Sequence, residues 1–317
     1  MSQFTIMIIT QTPLRVSFLG GNTDFPRYFK KYGGAVLTTT IDKYIYCIVK
    51  DRFDKEIRIN YSIKEIVNKV KDIKHELVRE AMKLVGVKDS IEITFLSDIP
   101  SEGSGLGSSS AVTVGALNAL HCFKGESIGA RQLAEEACKI EVDLLKRPIG
   151  LQDQYAVAFG NFNLIEFGKS IKLKQIDSHN LEDYLVLLHT GKTRDASKIL
   201  SGVKLKKKIL DRNKALAKMG YMNLRDPKLL GELLDEYWEL KKELNPAASS
   251  TEIDEMYKKA KKAGAWGGKI VGAGGGGFLL LVTPTNKKTA IKKKLGLREL
   301  PIRFSRSGSK VIFDIQK

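Results

Sequence analysis

Residues 103–110 read Gly-Ser-Gly-Leu-Gly-Ser-Ser-Ser, three glycines and four hydroxyls set between the run Ile91 to Leu96 and the proline-free apolar stretch Ala111 to Cys122. The first flank has the length and composition of a strand and the second those of a buried helix. Glycine lets a backbone come close to an anion, the free N–H groups and dipole of a helix start favour negative charge, and hydroxyls bind phosphate oxygens or a cation. The order strand, Gly/Ser loop, helix therefore reads as a phosphate cradle. It is not a Walker A loop: Gly191-Lys192 and Gly268-Lys269 have Val186 and Ala263 where the leading glycine would stand.

A chain of 317 residues is long enough for two medium lobes or one large intertwined domain. Its 53 basic and 36 acidic residues leave a net charge of +17, which by itself fits nucleic acid, an anionic membrane or a polyanionic small substrate. The densest basic runs, Lys204 to Lys208, Lys258 to Lys262 and Lys292 to Lys294, lie on helical patterns without interleaved aromatics. They read as solvated helix faces rather than a nucleic-acid surface. Cys47, Cys122 and Cys138 are far apart and lack ligand spacing, which points to free thiols in a reducing cytoplasm. The apolar stretch Phe4 to Ile9 is too short to span a bilayer and has no basic leader, so it reads as a first strand.

Strands are expected at Thr5 to Ile9, Arg15 to Leu19, Ala35 to Lys50, Glu56 to Tyr61 and Ile91 to Leu96, with a helix over Ile63 to Leu84. An amphipathic helix over Ala130 to Leu145 leads through Pro148 and Gly150 to Leu151 to Phe159, and then to strands Asn163 to Phe167 and Ile171 to Gln175. Beyond a strand at Tyr184 to His189, helices are expected over Ala196 to Met219, Lys228 to Leu244 and Ser250 to Ala263. The turn Gly272 to Gly277 separates Lys269 to Val271 from Phe278 to Val282 as a hairpin, with further strands at Ile302 to Phe304 and Val311 to Ile315. The whole reads as a mixed α+β chain of two lobes, 1–180 and 181–317.

Three ordered motifs carry a family resemblance. Pro100 to Ala111 resembles the central motif of the GHMP kinases. Thr12-Pro13-Leu14-Arg15 through Gly20-Gly21-Asn22-Thr23-Asp24 looks like the N-terminal motif, and Gly272-Ala273-Gly274-Gly275-Gly276-Gly277 like the C-terminal one. The resemblance implies a two-lobed fold, the N-terminal lobe like ribosomal protein S5 domain 2 and the C-terminal lobe ferredoxin-like. It also implies ATP and Mg²⁺ as cofactors. Within the superfamily the wording TPLRVSFLGGNTDFPRYF, GLQDQYAVAFGNFN, HTGKTRDASKIL and KIVGAGGGGFLLL is similar to that of bacterial heptose 7-phosphate kinases. The reaction so implied is phosphorylation of the anomeric hydroxyl of D-glycero-D-manno-heptose 7-phosphate to the 1,7-bisphosphate, towards nucleotide-activated heptose. Another sugar-1-kinase of fucose or galactose type is the alternative, and a non-catalytic sugar and ATP sensor a more distant one. Galactokinases carry Glu-His before the Thr-Asp pair, where this chain has Gly21-Asn22.

Carried over position by position, the resemblance assigns the loop residues Gly103, Ser104, Gly105, Leu106, Gly107, Ser108, Ser109 and Ser110 to ATP. Ser109 and Glu141 would ligate the metal, and Asp153 would orient or deprotonate the acceptor hydroxyl. Arg15 would stand beside Asp153 and counter charge on the transferring phosphoryl group. Asp24, Asn22, Gly274 and Gly275 would face the sugar. Lys192 and Arg194 are expected to hold the substrate's own phosphate, because both residue types bind phosphate well. A small-molecule sugar phosphate is then the expected partner, rather than nucleic acid or membrane, with oligomeric state open and a homodimer included.

Overall fold

This computed structural model describes residues 6–100, 103–192 and 196–316. The first part of the chain runs β1 (Ile6–Leu19), α1 (Pro26–Tyr32), β2 (Gly34–Asp51), β3 (Ile57–Asn60), β4 (Lys64–Val67), α2 (Glu76–Val85) and β5 (Ile91–Ser97). It continues through α3 (Ser108–Phe123), α4 (Ala130–Cys138), α5 (Gln152–Phe159), β6 (Phe162–Phe167) and β7 (Lys172–Ile176). Then follow β8 (Leu185–His189), α6 (Ala196–Ser201), α7 (Lys207–Met222), α8 (Pro227–Leu244), α9 (Thr251–Lys262), β9 (Gly267–Ile270), β10 (Phe278–Val282), α10 (Lys288–Leu295) and β11 (Lys310–Gln316). No helix among the described residues is long and apolar enough to cross a membrane.

The organising strand is β2. It pairs with β1 along almost its whole length, with β6 through residues 34–39 and with β5 through residues 45–51. The resulting eight-stranded sheet runs β11-β1-β2-β5-β3-β4, with β6 and β7 added at the start of β2. Helix α3 lies on β1 so closely that a Cβ at Gly115 would stand 2.9 Å from Thr12 Oγ1, and Thr10 Oγ1 donates to the Gly115 carbonyl at 3.0 Å. This contact seats the middle of α3 on β1.

The second sheet, β8-β10-β9, is antiparallel, and β10 and residues 185–188 of β8 are apolar without alternation. Its burial explains that pattern: Leu185 and Leu187 join the core that contains Leu14 and Val16, while Val186 and Leu188 face Trp238, Tyr257 and Ile291 on the other side. A strand covered on both faces needs apolar residues at every position. The layer is closed by α8 on β9, where a Cβ at Gly267 would stand 1.9 Å from the Gly231 carbonyl oxygen.

Four expected elements differ. The strands expected at Thr5 to Ile9 and Arg15 to Leu19 are one strand, β1, running through Pro13. Proline lacks the ladder N–H, and the register accommodates it with a shift between Pro13 and Leu14, beyond the last β11 pairing at Gln11. The helix expected over Ile63 to Leu84 is β4, a 3₁₀ turn at Val70–Asp72 and α2, which starts where the His75 ring accepts from the Val78 N–H. Ile63 and Ile66 are exposed there, so the start of the apparent helical stripe is not core. The helix over Ala196 to Met219 breaks after Ser201, at Gly202, into α6 and α7. Ile302 to Phe304 contributes only an isolated bridge from Phe304 to Ile41.

The Gly267 contact predicts a steric cost without a torsional one. Gly267→Ala should lose about 1–3 kcal/mol in urea unfolding, because the obstructing atom is backbone. Gly168→Ala, with nothing nearer than 3.9 Å, should change stability by under about 0.5 kcal/mol. Equal losses at both sites would refute the packing account.

Candidate active site

Arg15, almost fully buried on β1, ties three parts of the molecule together. Its backbone N–H donates to the Leu106 carbonyl at 2.9 Å, and its Nη1 to the Gly105 carbonyl at 2.5 Å, which docks the Gly/Ser loop on the strand. Its Nε and Nη2 donate to the two carboxylate oxygens of Asp153 at 2.7 and 2.5 Å. Such a two-pronged pair fixes orientation as well as charge. Asp153 lies in the first turn of α5.

The loop itself depends on its glycines. Gly103, Gly105 and Gly107 all have positive φ, and a Cβ on Gly107 would stand 2.9 Å from Arg15 Cγ. Gly107 caps α3 with no side-chain hydrogen bond, so the N–H groups of Ser108 to Ser110 are presented to the cleft rather than to a capping residue. Ser104 Oγ and Ser108 Oγ lie 3.2 Å apart.

Ser109 Oγ donates to Glu141 Oε2 at 2.8 Å, and Gln154 Nε2 donates to Glu141 Oε1 at 3.1 Å. Glu141 is fully buried because α4 runs on into a π-helical turn, Lys139–Leu144, which turns it inward. Burial pushes its carboxyl above the ordinary range, opposed chiefly by the hydroxyls of Ser109 and Ser110.

Asp24 stands on the other side of Asp153. Its Oδ2 accepts from the Gln152 N–H at 3.2 Å, and Gly150 passes so close that a Cβ would be 1.9 Å from the same oxygen. Burial first, and the Asp153 charge second, raise the Asp24 carboxyl from 3.8 to about 6. Asn22, two residues earlier, is buried with φ of 70°. The glycine-rich turn comes up behind the loop: a Cβ on Gly277 would meet Ser104 O at 2.5 Å, so the turn and the loop lie back to back. A cleft of about 240 Å³ results, lined by Arg15, Asp24, Asp153, Ser109 and Glu141 among others.

Some expected site residues lie elsewhere. The Gly275 N–H donates to the Ala248 carbonyl at 2.6 Å, and Gly274 faces the Ala248 backbone. Gly272 and Ala273, rather than those two, line the cleft. Lys192 Nζ lies 3.2 Å from Glu252, outside the cleft lining, and Arg194 falls outside the described residues.

Four ionisable lining residues were not expected from the sequence: Arg147, Tyr237, Lys241 and Lys269. Lys269 is buried in β9, donates to the Phe18 carbonyl at 2.9 Å and lies 4.7 Å from the Tyr237 ring centre. Burial, then the Arg15 charge, pushes its amine down to about 7, with Asp153 opposing. Lys241 donates to the Ile270 and Gly272 carbonyls at 3.1 and 2.7 Å and so supports the turn from α8. The available signal was a lysine inside an apolar run, Gly267 to Val271, that a buried strand would not carry without a use.

The raised Asp24 carboxyl predicts a pH dependence. Between about pH 4 and 6 the folded protein keeps a proton that the unfolded chain has released, so stability falls as pH rises through that window. Asp24→Asn should remove this slope, shrinking the difference in unfolding free energy between pH 4 and pH 7 by up to about 3 kcal/mol. An unchanged slope in denaturant titrations across that range would show that Asp24 is not the group responsible.

Comparison with known proteins identifies the family. Residues 67–161 match the model of the GHMP kinases N-terminal domain and residues 213–300 that of the GHMP kinases C-terminal domain. The chain is 35% identical over 316 residues to the D-glycero-alpha-D-manno-heptose 7-phosphate kinase of Campylobacter jejuni, covering 90% of this chain and 92% of that one. Among solved structures it resembles a D-glycero-D-manno-heptose 1-phosphate kinase from Bacteriodes thetaiotaomicron, with TM-score 0.80, 25% identity and coverage of 96% and 98%. It also resembles a putative sugar kinase from Campylobacter jejuni, with TM-score 0.79, 30% identity and 98% of both chains covered. Loop, paired aspartate and back-to-back glycine turn thus occur in a chain that belongs to the GHMP kinase family, the ATP-dependent sugar kinases among them.

Proposed function

We propose that this chain transfers the γ-phosphoryl group of ATP to the anomeric hydroxyl of D-glycero-D-manno-heptose 7-phosphate. The observation that carries the chemistry is the Arg15–Asp153 pair, held in one cleft with the Gly/Ser loop and Asp24. The substrate rests on likeness to the heptose 7-phosphate kinase of Campylobacter jejuni. Two lobes, 1–180 and 181–317, meet at this cleft in our reading.

Phosphoryl transfer asks the protein for positioning and charge rather than covalent chemistry. The N–H groups of 103–110 hold the phosphates at the start of α3. Asp153 receives a hydrogen bond from the acceptor hydroxyl and takes up its proton, while Arg15 keeps the carboxylate oriented and faces the charge that develops on the phosphoryl group. Asp24 and Asn22 meet the sugar hydroxyls, with Gly272 and Ala273 closing over them.

The donor set fits magnesium. Ser109 Oγ and Glu141 Oε2 lie 2.8 Å apart at the loop's end, both hard oxygen donors. No group of three or more His, Cys, Asp or Glu that could hold a metal ion occurs among the described residues, so phosphate and water would complete the shell, as this ion prefers. Magnesium would neutralise the phosphates; Ser109 and Glu141 would hold it. The substrate's own phosphate is assigned to Arg194 in this reading, Lys192 being paired with Glu252 outside the cleft lining, and the reaction belongs in the cytoplasm, where ATP is made.

ADP release with heptose 7-phosphate, galactose, fucose, mannose and mevalonate as acceptors tests the proposal. Turnover should be greatest with heptose 7-phosphate, and Asp153→Asn should lower kcat by about 10²–10⁴-fold. Turnover of an unphosphorylated sugar alone overturns the substrate assignment, and full activity in Asp153→Asn overturns the mechanism. Arg194→Ala should raise the KM for heptose 7-phosphate about tenfold or more, and an unchanged KM removes Arg194 from the phosphate site.

A further inference from the structure

The buried carboxylate of Glu141 already has a cation beside it. Arg147 Nη1 lies 3.7 Å from Glu141 Oε2 and donates to Ser109 Oγ at 2.6 Å, while Nη2 donates to Glu76 Oε1 at 2.7 Å. Among the described residues no other cation stands within 4.0 Å of Glu141. The backbone carries the guanidinium to this place: the Arg147 N–H donates to the Glu141 carbonyl at 3.0 Å, and Lys146 before it turns through a left-handed φ of 53°. The segment is therefore anchored on the same π-helical turn that presents Glu141, and only the side chain is left to move.

The atoms involved decide what this arrangement does. A divalent ion held by Ser109 and Glu141 needs a lone pair on Ser109 Oγ and one on Glu141 Oε2. Ser109 Oγ now accepts from Arg147 and donates to Glu141. A guanidinium carries a permanent charge, so it satisfies the buried carboxylate electrically and would repel a second cation in the same few ångströms. The half-exposed Glu76 on α2 offers it a second carboxylate, on which it can remain after releasing Ser109.

We propose that Arg147 is an internal counter-cation. In the nucleotide-free protein it holds Ser109 and Glu141 together in a metal-ready arrangement, and the divalent ion that arrives with the nucleotide displaces it from Ser109. This rests on the assignment of Ser109 and Glu141 to magnesium. Its consequence is coupling: metal alone competes with Arg147 and binds weakly, whereas metal with nucleotide brings phosphate oxygens that offset the competition.

Mn²⁺, which also takes oxygen ligands, reports binding directly as loss of the free-ion signal in electron paramagnetic resonance. Without nucleotide, Arg147→Met should bind Mn²⁺ about threefold to tenfold more tightly than the wild type, the size expected of one partly exposed charge. With a non-hydrolysable ATP analogue that gap should narrow. Arg147→Gln keeps a donor for Ser109 while losing the charge, and should show the same gain if the methionine variant fails to fold. Equal or weaker Mn²⁺ binding by the folded neutral variant overturns the role of Arg147 alone. Absence of Mn²⁺ binding by the wild type even with the ATP analogue overturns the metal assignment itself, and this inference with it.

Discussion

The cleft depends on the placement of one guanidinium. Arg15 is held by β1, and from that strand it grips the loop through two carbonyls and Asp153 through both carboxylate oxygens. Strand, loop and α5 are far apart in sequence, so no local propensity could set their relative positions. A planar donor fork with several fixed directions can. The close approach of Gly107 to the Arg15 side chain shows how little slack the arrangement has.

The charges in the cleft nearly balance. Its lining includes the carboxylates Asp24, Glu141 and Asp153 and the cations Arg15, Arg147, Lys241 and Lys269. The overall charge of +17 therefore says little about this site, and most of the excess lies elsewhere on the molecule. Burial disfavours the charged state of Asp24, Glu141 and Lys269 alike. Groups so placed cost stability in the folded protein, which is reasonable where a charged ligand is to be met by preset partners.

Much of this was legible in the sequence because it is written locally. The Gly/Ser loop, the Gly272 to Gly277 turn and the apolar strands each announce themselves over fewer than a dozen residues, and the family resemblance supplied Glu141 and Asp153. What was not legible depends on packing at a distance. Ile63 and Ile66 look like a helical face, yet they are exposed just before and within an edge strand. Pro13 looks like a strand end, yet the ladder passes it because β11 has already stopped. Arg147 was hidden by its neighbourhood: in Leu145-Lys146-Arg147-Pro148 it reads as one more basic residue of a basic protein, and only the fold brings it to Ser109.

The π-helical turn at Lys139–Leu144 has a consequence for how this helix could have arisen. Such a turn is what remains when a single residue is inserted into an α-helix whose ends are both already committed. Upstream, Leu133, Ala134 and Ala137 are fixed in the core, and downstream the chain must reach Gly150 and Asp24. Deleting one residue within the turn would restore ordinary helical spacing with both ends left in place, and the widened turn that aims Glu141 inward would be lost. Glu141 would then leave Ser109, although every residue of the constellation was still present. The position of this carboxylate is thus encoded in the length of a helix as well as in the identity of a residue.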